Sequence, residues 1–156
     1  MYHPMKLLIF SDSHGRGGME DVAALEQPDQ ILHLGDCVRD ARDLERRVSC
    51  PVTYVPGNCD YGSTLPQILT PELGGKRIYM THGHLHGVKM TYMRAIYAAL
   101  EAQADILLFG HTHRPECFQQ GSLRVMNPGS WGYGHTYGLI LLDGQEIACQ
   151  VRAWKK

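Results

Sequence analysis

Asp12, His14, Asp36, Asn58, His82, His111 and His113 are the side chains of this 156-residue chain whose types and spacing could do chemistry together. They fall in clusters that each close a short apolar run. Runs 7–10, 31–34, 52–55, 78–80 and 106–109 lead respectively into Ser11-Asp12-Ser13-His14, Gly35-Asp36, Gly57-Asn58-Cys59-Asp60, Thr81-His82-Gly83-His84 and Gly110-His111-Thr112-His113. Carboxylate, imidazole and amide groups bind divalent cations. Seven such donors exceed the four that one tetrahedral zinc takes. They suit two cations sharing a carboxylate, about 3.5–4 Å apart. Two divalent ions against two Asp carboxylates and a bridging hydroxide leave a positive residue of charge, which would attract an anionic phosphoryl group.

Taken singly, each residue reads more plainly. Asp36 after Gly35 is a turn or helix cap, Asn58 after Gly57 a turn residue, and His113 a surface or core histidine. Order and repetition lift the set above those readings.

The elements that must position these residues are legible from periodicity. The five runs have the length of buried strands, and ligands of open α/β sheets gather beyond the carboxyl ends of strands. In extended backbone, i and i+2 face one side, so Asp12 with His14, His82 with His84 and His111 with His113 are expected to point into one cavity. Helices are expected over 19–25, 38–48 and 88–102, the last with Met93, Ile96, Tyr97 and Leu100 as its buried stripe. Strand-helix alternation predicts βαβ units and a largely parallel sheet. The last third differs: strand-like runs 123–126, 137–142 and 147–152 follow one another, with Gln120-Gly121-Ser122 as a turn and Asp143-Gly144 as a hairpin signal. Two packed sheets with helices outside are expected.

Composition excludes several classes. Apolar residues make up 44%, charged residues 20%, and net charge is −1 without a basic block, so general nucleic-acid binding is not expected. No stretch approaches the ~18 apolar residues of a membrane span, and the first six residues carry no apolar leader. Five cysteines without a CxxC pair predict reduced thiols in a cytoplasmic protein and argue against a zinc ribbon. The length predicts one domain over residues 1–156. The pattern is compatible with a homo-oligomer.

The ordered set D-x-H, G-D, G-N-C-D, a lone strand-end His82 and G-H-x-H resembles the calcineurin-like metallophosphoesterases across nearly the whole chain. Asn127-Pro128-Gly129-Ser130 is similar to the corresponding loop of the small, uncapped YfcE-like branch. The resemblance implies an α/β fold of two facing mixed β-sheets flanked by helices, four layers in the order α-β-β-α, without a cap or lid. It implies one cation on Asp12, His14, Asp36 and His113 and another on Asp36, Asn58, His82 and His111, with Asp36 bridging. It further implies hydrolysis of a small phosphate ester, a diester before a monoester, by a metal-bridging hydroxide. Mn²⁺ is the first expectation for the metal, with Ni, Zn, Fe and Co as alternatives.

Cys59 stands where many superfamily members carry a histidine that protonates the leaving group. A free thiol near pKa ~8.5 is a weaker proton shuttle than imidazole, so Cys59, His84 and water are the candidate acids, and good leaving groups are expected to be preferred. His86, His33, His3 and His135 read as structural or surface residues, and Arg16 and Arg114 first as solvated charge. The competing reading is a non-catalytic interaction scaffold on the same fold, as in the retromer scaffold subunit; all seven ligand positions being filled argues for the enzyme. A nuclease of the superfamily would need DNA-holding insertions that this length does not provide.

Overall fold

Strand β1 (Met5–Phe10) shows how the chain makes its layers. Leu7 and Ile9 point into one apolar cluster while Leu8 and Phe10 point into another, because successive side chains of a strand take opposite faces. A strand buried on both faces reads as a continuous apolar run, as β1 does. The computed structural model describes residues 4–155, and His3 lies outside them.

One sheet has the order β11-β10-β1-β2-β3, with β2 at Gln30–His33, β3 at Val52–Tyr54, β10 at Thr136–Asp143 and β11 at Glu146–Ala153. β1, β2 and β3 are parallel, and β10 runs antiparallel to β1. The other sheet has the order β4-β6-β7-β9-β8, comprising Ile68–Leu69, Lys76–Thr81, Ile106–Leu108, Leu123–Asn127 and Glu116–Gln120. The short β5 (Glu72–Leu73) also pairs with β6. β6, β7 and β9 are parallel.

Three apolar clusters give the layer order. The central one joins Leu7, Ile9 and Leu32 of the first sheet to Ile78, Ile106 and Met126 of the second. A second cluster packs α1 (Met19–Glu26) and α2 (Val38–Glu45) on the outer face of the first sheet through Val22 and Leu44. A third packs α3 (Met93–Glu101) on the second sheet through Ala95, Ile96 and Ala99. The fold is therefore the expected α-β-β-α sandwich. The parallel strands of both sheets end on one rim, so their following loops gather there.

Two expectations need correction. The stripe Met93, Ile96, Tyr97 and Leu100 is not the buried face of α3: Met93, Tyr97 and Leu100 are exposed, and Ala95, Ile96 and Ala99 are buried. Both stripes contain Ile96, and the alanines win because small side chains let the helix lie close on β7 and β9. The helix also starts at Met93, not 88, because residues 84–86 form a separate 3-10 turn between Gly83 and Gly87, both at positive φ (111° and 59°). The last third divides between the two sheets. β9 joins β7 in parallel, while β10 and β11 return to β1. The Gln120-Gly121-Ser122 turn does close a hairpin, with the unforeseen β8 as its first strand.

Candidate metal centre

Asp12 leaves β1 with its backbone N–H donated to the Gly35 carbonyl (2.9 Å), and His14 N–H reaches Asp36 O (3.1 Å). The first two ligand loops thus lace together at the rim. Asp12 Oδ2 accepts from the Ser11 hydroxyl (2.6 Å) and the His111 backbone N–H (3.1 Å). Asp36 Oδ1 accepts from Cys59 N–H (2.9 Å). Each carboxylate is thereby anchored by one oxygen and presents the other.

The free oxygens meet the histidines. Asp36 Oδ2 lies 3.3 Å from His82 Nε2 and 3.9 Å from His14 Nε2. Asp12 Oδ1 lies 3.2 Å from His113 Nε2, 3.7 Å from His82 Nε2 and 3.8 Å from His14 Nε2. Two donor groups result, Asp12/His14/His113 and Asp12/Asp36/His82, each with ligand atoms within 4.8 Å of one another. Asp12 belongs to both groups, and Asp36 faces a histidine of each. His82 Nδ1 donates to the Leu34 carbonyl (2.8 Å), which fixes the ring and turns Nε2 inward. His111 stands beside it, ring centroids 5.0 Å apart.

Asn58 is exposed, and its side-chain N–H donates to Cys59 Sγ at 3.7 Å. His84 sits 5.5 Å from the His82 ring and 6.2 Å from the His111 ring, at the edge of the cluster. The i, i+2 pairs also converge by another route than extended backbone. Asp12, His14, Asp36, His111 and His113 all have positive φ, between 47° and 69°. Such residues are uncommon in this region and gather where function imposes strain.

A cation fits this donor set. Asp12 Oδ1, His14 Nε2 and His82 Nε2 are buried without a hydrogen-bond partner. A buried polar atom left unpaired costs about 1–3 kcal/mol, and cations held by the two donor groups would satisfy all three. The electrostatics agree. Burial works to raise the Asp36 carboxyl, but His82 and the Cys59 N–H outweigh it and hold it below the usual carboxylate range. Burial opposes charge on His82, yet Asp36 and Asp12 raise it above its ordinary value. The carboxylates therefore demand positive charge between them. Burial, with His82 and Lys89, pushes His111 down to about 4, leaving it a neutral imidazole. Burial and the Asp36 charge raise the Cys59 thiol.

Several supporting residues were not assigned roles by sequence reasoning. Asp60 accepts backbone N–H bonds from Asp36 (2.9 Å), Gly57 (2.8 Å) and Val38 (2.8 Å), tying two ligand loops together. Asn127 donates to Gly110 O (3.1 Å) and Thr112 Oγ1 (2.9 Å), while Ser130 Oγ donates to Asp12 O (2.8 Å). Those two motifs were visible, but not what they hold. Buried His33 bridges Ser13 Oγ (2.9 Å) and Gly35 N–H (3.1 Å). Tyr133, exposed on the short α4 (Trp131–Gly134), lies against the rings of His14 (5.0 Å) and His113 (5.5 Å). No sequence signal pointed to it. His86 is structural, paired with the Tyr79 hydroxyl, and Arg16 is held by His135 Nε2 (2.7 Å) over Trp131.

A sequence profile of the calcineurin-like phosphoesterase superfamily domain matches residues 5–145. The chain belongs to that superfamily. Its family chemistry is metal-dependent phosphoester hydrolysis. Among relatives, the probable metallophosphoesterase YsnB of Bacillus subtilis is 36% identical, covering 81% of this chain and 75% of that protein. The phosphodiesterase YfcE of Escherichia coli is 31% identical, covering 94% and 97%. Among solved structures, a predicted phosphoesterase from Streptococcus pneumoniae superposes with a TM-score of 0.83 at 28% identity, covering 98% of this chain and 91% of that one. Vps29 from Entamoeba histolytica, complexed with zinc, gives 0.72 at 20% identity, covering 95% and 98%; at that distance the likeness concerns the fold alone.

Proposed function

We propose that this chain hydrolyses small phosphodiesters, and phosphomonoesters secondarily, at a centre of two divalent cations. The observation that carries the reading is the convergence of Asp12, Asp36, His14, His82 and His113 with three of their buried ligand atoms unpartnered. The name of the YfcE relative supports a diester. Cations bound there would supply Lewis acidity toward phosphoryl oxygens and activate water.

The chain's own residues supply the rest. Asp12 and Asp36, each anchored by one oxygen, hold the centre's position, and His82 is aimed by Leu34 O. His111 stands ready as a neutral ligand. Asn58 donates to Cys59 through its side-chain N–H, and its Oδ1 is the atom proposed to join the centre. Cys59, with a thiol kept protonated, and His84, at the edge of the cluster, are the proton donors proposed for the leaving group. Imidazole, carboxylate and amide donors without thiolate support Mn²⁺ first, then Ni, Zn, Fe or Co. A cytoplasmic setting accords with five free thiols, and no helix among the described residues is long and apolar enough to cross a membrane. A scaffold reading would leave the unpartnered donors without a role.

The test strips the protein of metal, restores Mn²⁺, Ni²⁺, Zn²⁺ or Mg²⁺ in turn, and assays a matched aryl phosphate monoester and diester. Metal-restored turnover of the diester is expected. No turnover under any condition overturns the reading in favour of the scaffold.

A further inference from the structure

A cavity of about 560 Å³ opens beside the metal centre, lined by Lys89, Thr91, Tyr92, Thr112, Arg114 and Glu116 among others. It shares a wall with the centre, because Thr112 stands between His111 and His113. Its size is that of a small-molecule site and exceeds what a single phosphoryl group on the cations would occupy. Resting on the function proposed above, we propose that this cavity is the subsite for one ester arm of the substrate, and that it is built for an arm carrying a second phosphate. The substrate class is then a phosphodiester of a phosphorylated sugar or polyol, such as a short nucleotide.

The lining carries the argument. The single carboxylate, Glu116, already accepts the Tyr92 hydroxyl at the cavity floor. Tyr92 is itself fixed by its rings' neighbours, 4.9 Å from Phe109 and 6.3 Å from Phe118. Thr112 Oγ1 accepts from Asn127 (2.9 Å) and from the Arg114 backbone N–H (3.1 Å), so this wall is rigid and continuous with the ligand loop. The two cations are the uncommitted groups. Neither Lys89 nor Arg114 has an ion-pair partner among the described residues. Both are exposed toward solvent at the cavity. A neutral arm would leave both charges unused. A phosphate would bring them together, with the guanidinium offering paired donors.

The experiment compares p-nitrophenyl esters of thymidine 5′-phosphate with and without a 3′-phosphate, and the analogous glycerol phosphate pair. The added phosphate is expected to raise kcat/KM about tenfold through KM, in the series whose arm fits, and Lys89→Gln/Arg114→Gln should bring that ratio toward one. A wild-type ratio near one in both series, with turnover of all esters, overturns the proposal. Titration calorimetry in EDTA, with thymidine 3′,5′-bisphosphate as the probe, separates this from the catalytic reading. Affinity lost in the double variant supports the subsite even if no ester is hydrolysed. Equal affinity in both proteins overturns it.

Discussion

Asp12 divides its work between two oxygens. Oδ2 takes hydrogen bonds from Ser11 and His111, and Oδ1 is left buried and bare among three imidazoles. Asp12→Asn keeps the shape but puts an amide that cannot match a carboxylate's charge opposite those rings. Metal content after dialysis should fall well below one ion per chain, with kcat/KM down by about 10³ or more, since both donor groups share this residue. Retained metal and activity would remove Asp12 from the site. His84 poses a different question, because it stands beside the ligands without joining the carboxylates. If it protonates the leaving group, His84→Ala should slow esters of poor leaving groups about 10²-fold while barely touching p-nitrophenol, steepening the dependence of rate on leaving-group pKa. A slope identical to wild type assigns the proton to Cys59 or water.

At the scale of elements, the site depends on how closely strand-end loops approach. A Cβ on Gly110 would sit 2.0 Å from Ser11 Oγ and 2.6 Å from Asp12 Oδ2. Gly110→Ala should therefore displace the Asp12 carboxylate and cost about 1–3 kcal/mol of stability. The check is urea unfolding read beside metal content, both of which should drop; an unchanged metal content would mean the loops yield without disturbing Asp12. Such contacts explain what the sequence made legible. Strand-end clusters announce their own ligands because a strand buried on both faces must be apolar until the rim, where polarity begins abruptly. The facing of a helix is harder to read, and α3 shows why: two overlapping stripes share Ile96, and packing distance to β7 and β9 decides between them. Tyr133 was illegible for a related reason. Its meeting with His14 and His113 depends on Ser130 and Gly132 docking on Asp12 O, a contact 118 residues apart in the chain for Ser130.

Across the whole molecule, two buried titratable groups stitch distant parts together, and they predict the shape of acid unfolding. His33 joins the loops after β1 and β2, and burial lowers it from 6.5 to about 4. The folded state therefore favours its neutral form. That contribution, up to about 3 kcal/mol, is complete above pH ~6.5 and declines as pH falls toward 4, where the folded group also protonates. Glu26 closes α1 onto the first sheet through Tyr137 (2.8 Å), Lys6 (3.1 Å) and Arg152 (2.9 Å). Burial pushes its carboxyl up, but these partners together hold it below 4.5. Its contribution is present above pH 4.5 and is lost as pH falls through the folded-state value beneath that. Unfolding free energy of the metal-free protein should thus fall in two windows, the first from His33 and the lower from Glu26. His33→Asn should flatten the profile between pH 6.5 and 4. Glu26→Gln should lower stability by about 1–3 kcal/mol at pH 7, with the gap from wild type closing only below pH 4.5. A gap already closing at pH 6 would show that Glu26 is not held by its three partners, and that the α1 end of the fold is secured by apolar packing alone.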